Sequence, residues 1–320
     1  MNNKLVSIIT PCYNGGEQLP RYLDSVLNQT YKNIELIIIN DGSIDETEKI
    51  INQYNKLFED NGIKLIYVYQ KNKGLGGAIN TGLKYFTGEF LCWADCDDFF
   101  CVDSIEKRVR YLENNNQYAM VTSDGYIYNE ENLNVPIGKI TDQYKYYEDE
   151  YQFEHHLKAQ SIFCCGCHMI RSEAFLDVNP QREIFEARRG QNWQMLLPLY
   201  YKYKVGFLNE PLYNYIIYKN SMSQGDDTKE KRIERYNEHL DIIKNTLARI
   251  QMTEDDRHKY YMQFYELYIR DMYNISIKYC DIKLGIKYYL LMIKYNLIEK
   301  YDTKSLLKVI ILRFLRKCNA

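Results

Sequence analysis

Ile34-Glu35-Leu36-Ile37-Ile38-Ile39-Asn40-Asp41-Gly42-Ser43 is a nearly unbroken apolar run that stops in turn-forming residues. A strand with one solvated face alternates apolar and polar residues, whereas a continuous run suits a strand covered on both faces. Asn-Asp-Gly-Ser closes it with turn chemistry. The same rhythm repeats outward on both sides. Leu5 to Thr10 reads as a strand, ended by Pro11, which has no donor for a ladder. Glu17 to Thr30 has helical spacing, with Leu19, Leu23, Val26 and Leu27 on one side. Thr47 to Phe58 reads as a helix and Leu65 to Tyr69 as a strand; Gly77 to Phe86 is helical again, and Phe90 to Ala94 is a fourth strand. Strand and helix in alternation imply parallel βαβ units, an α/β fold with a mostly parallel sheet flanked by helices.

In such sheets ligands bind beyond the carboxyl ends of the strands. Each unusual polar cluster of the first hundred residues follows a strand: Thr10 to Asn14, Asn40 to Ser43, Lys71 to Gly77, and Asp95 to Asp98. The last cluster lies in Cys92-Trp93-Ala94-Asp95-Cys96-Asp97-Asp98-Phe99-Phe100, beside residues normally buried. Carboxylates this close raise each other's pKa, and no lysine is near them in sequence. A hard divalent cation, Mg2+ or Mn2+, would remove the conflict and prefers oxygen ligands. One or two carboxylates plus substrate phosphates is the usual arrangement, so the turn fits a diphosphate-bearing substrate; a solvated acidic turn is the plainer alternative. The first loop, PCYNGG, is not the GxGxxG of a dinucleotide site, and Lys73-Gly74-Leu75-Gly76-Gly77 is not a P-loop.

The bulk numbers narrow the class. The chain has 320 residues, 46% hydrophobic and 26% charged, ordinary values for a folded soluble protein. Its net charge of -2 gives no reason to expect nucleic acid as a partner. The nine cysteines are odd in number and lie largely in apolar stretches. Lys4 leads into a strand-like run rather than a secretory core, so a reducing cytoplasm is the expected location. Cys164-Cys165-Gly166-Cys167-His168 reads as a tight turn with small buried thiols, and His168 as structural. No apolar run approaches the length of a membrane span.

The N-terminal region resembles glycosyltransferase family 2, nucleotide-sugar-dependent enzymes of GT-A fold. The resemblance rests on Val6-Ser7-Ile8-Ile9-Thr10-Pro11-Cys12-Tyr13-Asn14, Leu19 to Gln29, Ile37 to Asp45 with Thr47, Asn72 to Asn80, and Ala94 to Asp98. It is strong over residues 4 to 110 and looser to about 225. It implies a GT-A domain over 1–225, with a nucleotide-sugar half at about 1–110 and an acceptor half at about 111–225, followed by a helical region over 226–320. It implies that Thr10, Pro11, Tyr13 and Asp41 face the base and ribose. Asp95 and Asp97 correspond to the DxD motif, with Asp95 toward the ribose and Asp97 on the metal; Asp98 shapes the donor pocket or supports the metal shell. The implied activity is metal-dependent, inverting transfer of a sugar from a nucleoside diphosphate sugar, UDP-linked, to a glycan or lipid-linked acceptor in surface polysaccharide synthesis.

The sequence departs from the family pattern at several points. Ala78-Ile79-Asn80 lacks the arginine of the third loop, for which Lys73 is one candidate by location alone, a plain surface lysine being the alternative. Where the family carries a Glu-Asp pair whose aspartate is the general base, Gly190-Gln191-Asn192-Trp193-Gln194 has amides. Asn192 can orient an acceptor but cannot take its proton. Either another acid serves, Glu186 or Glu183 with Asp124 behind them, or the route uses no carboxylate, or the protein binds a sugar nucleotide without turnover. Trp193 is either a wall for a sugar ring or core packing. Ser221-Met222-Ser223, after Tyr213 and Tyr215, corresponds to a loop over the diphosphate, although Ile216 stands where an arginine is common. A nucleotidyltransferase is a further alternative, but the glycine-rich basic loop expected at its start is absent.

Beyond Asn115 the rhythm breaks. Residues 139–160, rich in tyrosine and acid, read as a loop or lid with a short helix, and Trp193 to Tyr201 as a helix bent at Pro198. From Lys229 the pattern is helical, with Thr228 and Thr253 as N-caps. Residues 303–317 form a basic amphipathic segment, including Arg313, Arg316 and Lys317. It either packs on its neighbours or lies on the inner face of an anionic bilayer. A homo-oligomer is also compatible with the sequence.

Overall fold

The computed structural model describes residues 4–219, 221 and 225–318, with side chains as far as Ile311. Met222 and Ser223, and the side chains of Arg313, Arg316 and Lys317, therefore lie outside the described residues. The chain divides into two units, Met1–Tyr218 and Lys219–Ala320.

The first unit begins with the alternation read from the sequence. Its elements are β1 (Val6–Cys12), α1 (Leu19–Leu27), β2 (Ile34–Asn40), α2 (Thr47–Asp60), β3 (Lys64–Tyr69), α3 (Gly74–Leu83) and β4 (Phe90–Trp93). There follow β5 (Phe99–Phe100), α4 (Ser104–Asn114), β6 (Met120–Asn129), β7 (Gly138–Lys139), α5 (Phe153–Leu157), β8 (His168–Arg171), α6 (Ser172–Val178), α7 (Gln191–Lys202) and β9 (Val205–Ile217). The nine-stranded sheet has the order β3-β2-β1-β4-β8-β6-β9-β5, with β7 on β6. Its first four strands are parallel. β8 runs antiparallel between β4 and β6, and β9 is parallel to β6, so the sheet is mixed. All seven residues of β2 are buried, as a continuous apolar run requires. Glu35 survives there because the Ser7 hydroxyl (2.6 Å) and the Thr87 N–H (2.5 Å) donate to it. Burial raises its pKa, but those donors outweigh burial and hold it below the usual carboxylate range.

Pro11 does not end β1, which continues to Cys12 in register with Asn40. In a parallel strand the N–H and C=O of one residue point to the same side. Cys12 C=O accepts from Asp41 N–H on the β2 side, while Ile9 C=O accepts from Ala94 N–H on the β4 side. Pro11 therefore turns its missing donor toward β4, whose pairing with β1 has already ended at Ile9 and Trp93. The third helix starts at Gly74, three residues before its expected start. A Cβ on Gly76 would stand 2.8 Å from the Ala187 nitrogen, and the Gly76 N–H instead donates to Ala187 C=O at 3.0 Å. Glycine permits a helix to begin against a passing backbone.

The second unit consists of α8 (Lys229–Arg249), α9 (Glu254–Lys278), α10 (Ile282–Lys294) and α11 (Asp302–Cys318). Thr228, Thr253 and Asp281 cap the first three by accepting from backbone N–H groups. Tyr268, Ile269, Met272, Tyr273, Tyr288 and Met292 form its core. Among the described residues no helix is long and apolar enough to cross a membrane.

Candidate functional site

β4 stops at Trp93 beside the carboxyl end of β1, and the chain turns through Asp95 to Asp98 before re-entering the sheet as β5. One oxygen from each of Asp95, Asp97 and Asp98 lies within 4.8 Å of the other two. Asp98 is the anchor. It is buried, and the Ile216 N–H of β9 donates to its Oδ1 at 2.9 Å. Its Oδ2 is buried without a hydrogen-bond partner. Asp95 and Asp97 are half-buried, and the Cys165 thiol donates to Asp95 Oδ2 at 3.3 Å. Burial, and then the neighbouring Asp95 carboxylate, pushes Asp97 up to about 6. Burial raises Asp98 well above the carboxylate range, and raises Asp95 as well. Hard oxygen donors drawn together, one of them an orphaned buried acceptor, are the donor set that Mg2+ or Mn2+ takes. These residues fit such an ion.

Arg21 of α1 is the positive charge that the sequence reading missed. Its Nη2 donates to the Asp97 C=O and to the Tyr218 hydroxyl, both at 2.6 Å, and the Tyr218 hydroxyl donates to the same carbonyl at 3.1 Å. Its charge lowers the Asp97 pKa, though less than burial and Asp95 raise it. A second unforeseen arginine, Arg108, is fully buried. It donates to the Gly166 C=O at 2.8 Å and the His168 C=O at 3.3 Å, and also to Ser104 Oγ. It thereby holds the Cys165–Cys167 turn whose thiol reaches Asp95. That turn comes so close to β9 that a Cβ on Gly166 would stand 2.1 Å from the Tyr213 ring. Little in the local sequence marks either arginine, because the partners that tie them to the site are 58 to 197 residues away, Ser104 beside Arg108 excepted.

The loops after β1, β2 and β3 are joined to one another. Asn14 adopts a left-handed conformation (φ 50°); its N–H donates to Ser43 Oγ, and its Oδ1 accepts from the Ile44 N–H, both at 2.9 Å. Asp41 Oδ1 accepts from Gln70 Nε2 at 2.7 Å and from the Lys73 N–H at 2.9 Å. Asp41 and Lys73 are thus brought together, with the Lys73 side chain exposed at the start of α3. The first loop meets the acidic turn: a Cβ on Gly15 would stand 2.7 Å from Cys12 Sγ and 3.0 Å from Cys96 Sγ. Tyr13 is exposed and Pro11 half-buried, but Thr10 is buried with its hydroxyl against that of Tyr22.

At the start of α7, both polar atoms of Asn192 are engaged. Its Nδ2 donates to the Phe163 C=O at 2.5 Å, and its Oδ1 accepts from Trp93 Nε1 at 3.0 Å. Trp193 is buried in an edge-to-face pair with Phe163. Asp124 is buried, and accepts from the N–H and hydroxyl of Thr141. Two amides grip the stretch that carries Glu186. Asn80 pairs with both backbone groups of Ile184 at 2.7 and 2.9 Å, and Gln194 with both of Phe185 at 2.6 and 3.1 Å. Glu186 itself is exposed between that clamp and Ala187, and Glu183 is exposed just before it. His168 is buried and stacked on Trp93, and burial lowers its pKa well below the usual histidine range.

Residues 7–178 match the family model described as Glycosyl transferase family 2. An uncharacterized glycosyltransferase, RP339 of Rickettsia prowazekii (strain Madrid E), is 41% identical over 122 residues, 38% of this chain and 36% of the relative. Glycosyltransferase GlyA of Streptococcus pneumoniae serotype 4 is 29% identical over 227 residues, 68% of this chain and 31% of GlyA. The matches thus span about a third of the length of these relatives. Among solved structures, S. aureus TarS 1-349 in complex with UDP-GlcNAc superposes with a TM-score of 0.58 at 16% identity, covering 95% of this chain and 89% of that one. Mannosyltransferase PcManGT from Pyrobaculum calidifontis, in complex with GDP-Man and Mn2+, gives 0.55 at 14%, covering 96% and 86%. At these identities the structural likeness concerns the fold.

Proposed function

The chain belongs to glycosyl transferase family 2, and on that premise we propose that it transfers a sugar, with inversion, from a nucleoside diphosphate sugar to a glycan or lipid-linked acceptor. The observation that carries the proposal is the acidic turn, whose three carboxylates lie within 4.8 Å of one another beside the carboxyl end of β1. TarS was solved with UDP-GlcNAc and PcManGT with GDP-Man and Mn2+, which supports a donor of this class. We take the donor to be UDP-linked and the product to be a surface polysaccharide, the work being done in the cytoplasm and at the inner face of the membrane.

Pro11 and Tyr13 flank the base, Asp41 Oδ2 accepts from it, and Lys73 faces the diphosphate. Thr10, buried on Tyr22, supports the strand beneath them. Asp95 and Asp97 would hold Mn2+ or Mg2+, with Asp98 fixing the turn to β9. Such an ion, when bound, supplies positive charge to the departing diphosphate. Arg21 sets the backbone of Asp97, so the turn presents its carboxylates without rearrangement. Glu186 takes the proton of the acceptor hydroxyl. The clamp by Asn80 and Gln194 favours this role, since it holds an exposed carboxylate on a fixed backbone. Asn192, bonded at both ends, orients the Phe163 segment.

The engaged amide of Asn192 favours a second reading, a sugar-nucleotide binding protein or non-catalytic partner of an active transferase. Calorimetric titration of a UDP-sugar and GDP-sugar panel, with and without Mn2+, tests what both readings share. Metal-dependent binding that Asp97→Ala removes supports them; metal-independent binding, or binding indifferent to Asp97→Ala, contradicts both.

A further inference from the structure

The helices α10 and α11 carry the same pattern of exposed residues. Lys283, Ile286, Lys287 and Leu290 recur, at identical spacing, as Lys304, Leu307, Lys308 and Ile311. Residues three, four and seven apart share one helix face. The structure keeps the other face of each helix for the core: Gly285, Tyr288 and Met292 on α10 are buried, as are Leu306 and Val309 on α11. The helices pack where a Cβ on Gly285 would stand 3.1 Å from Leu306 Cδ1. What remains outward includes an apolar stripe. Ile286, Leu290, Ile293, Leu307 and Ile311 are between 43% and 59% exposed, and Tyr301 between the helices is 66% exposed. Lys283, Lys287, Lys294, Lys300, Lys304 and Lys308 are exposed too. The acidic residues of this stretch, Glu299 and Asp302, are drawn to Arg270 at 3.1 and 2.7 Å.

We propose that α10 and α11 together form a docking surface for an anionic lipid bilayer. This rests on the proposed action at a membrane and widens the contact from 303–317 to two helices. An exposed apolar stripe bordered by lysines is how a helix lies in the headgroup region: the apolar side chains enter the acyl boundary and the ammonium groups stay at the phosphates. The charge selects this occupant over a second copy of the chain. A two-fold interface would set the lysines of one copy against the same lysines of the other, whereas an anionic surface attracts every one of them.

The test uses the full chain and large unilamellar vesicles, either pure phosphatidylcholine or phosphatidylcholine with phosphatidylglycerol. Co-sedimentation with the anionic vesicles and not the neutral ones is expected. Replacing Lys283, Lys287, Lys304 and Lys308 by serine should lower partitioning about six-hundredfold, at about fivefold per lysine. Ile286→Glu with Leu290→Glu, confined to α10, should also release the protein. Binding that this pair leaves unchanged would restrict the contact to the terminal helix and overturn the two-helix surface. Absence of binding to anionic vesicles, or self-association that Leu290→Glu abolishes, would overturn the lipid assignment. The variants should bind uridine diphosphate with Mn2+ as the parent does, so a failed donor site and a failed membrane surface give different results.

Discussion

Asp97→Asn should stabilise the metal-free protein at pH 8 while removing its response to metal. Asp97 has a folded-state pKa of about 6, against an ordinary value of 3.8. The folded state therefore binds this proton more tightly than the unfolded state does. The group contributes nothing unfavourable below about pH 4, costs stability progressively as pH rises toward about 6, and costs its full amount above that. At full strength the gap is worth about 3 kcal/mol. Partial solvent screening of a half-buried group reduces this to about 1–2 kcal/mol, which corresponds to about 2–8 °C in Tm. The assay is thermal unfolding in chelator at pH 5 to 8, for parent and variant, read as their difference. The difference is needed because buried histidines act oppositely: His156, pushed down to about 3 by burial, weakens the fold as pH falls. The difference should grow with pH and level off above about 6. Mn2+ should raise the parent's Tm by mass action and leave the variant's unchanged. If Asn destabilises the metal-free protein at pH 8, the acidic turn is not held against its own repulsion and the reasoning fails.

Glu186→Gln should lower turnover about 10²- to 10⁴-fold with donor affinity unchanged; turnover within a few fold of the parent, measured with a competent acceptor, would remove Glu186 as the base. Arg21→Met should weaken metal-dependent donor binding and move its acid limb to higher pH, because the charge that lowers Asp97 is gone. Loss of the charge-assisted bonds should cost about 1–3 kcal/mol in urea unfolding, and an unshifted binding profile would show that Arg21 does not act through Asp97. Gly166→Ala should cost about 1–3 kcal/mol or more by overpacking, since the new Cβ meets the fully buried Tyr213 ring. Near-parent stability would mean that the turn beside Asp95 is free to move.

Periodicity carried the first half of the fold, because β1, β2 and β4 are buried along nearly all their length and their apolar runs follow directly from that. The loops after β1 to β4 were legible for a related reason: turn residues cannot sit inside a covered sheet. Pro11 misled because a missing donor matters only on the side where a partner strand continues, and sequence does not show where β4 stops. Contacts between distant residues were invisible. Arg21 lies 76 residues before Asp97, and Gln194 and Asn80 reach the Glu186 segment from opposite directions. Thr10 has the residue type of a ligand contact, and only the packing of Tyr22 reveals that its hydroxyl turns inward. Glu35 looked out of place in an apolar run until Ser7 and Thr87 were brought to it. The resemblance in the first hundred residues pointed to the family, which the match over residues 7–178 shows, while the departures at Gln191 and Asn192 left the residues around them to be read from geometry.

Nucleoside diphosphate release is the most direct test. Purified protein would be incubated with UDP- and GDP-sugars and Mn2+, with and without free glycan and lipid-linked acceptors, beside Asp97→Asn as a control. The account predicts release that requires metal, one acceptor and Asp97. Release indifferent to Asp97→Asn, or donor binding without release from any acceptor, would contradict a metal-dependent transferase; the latter outcome would favour the binding-protein reading.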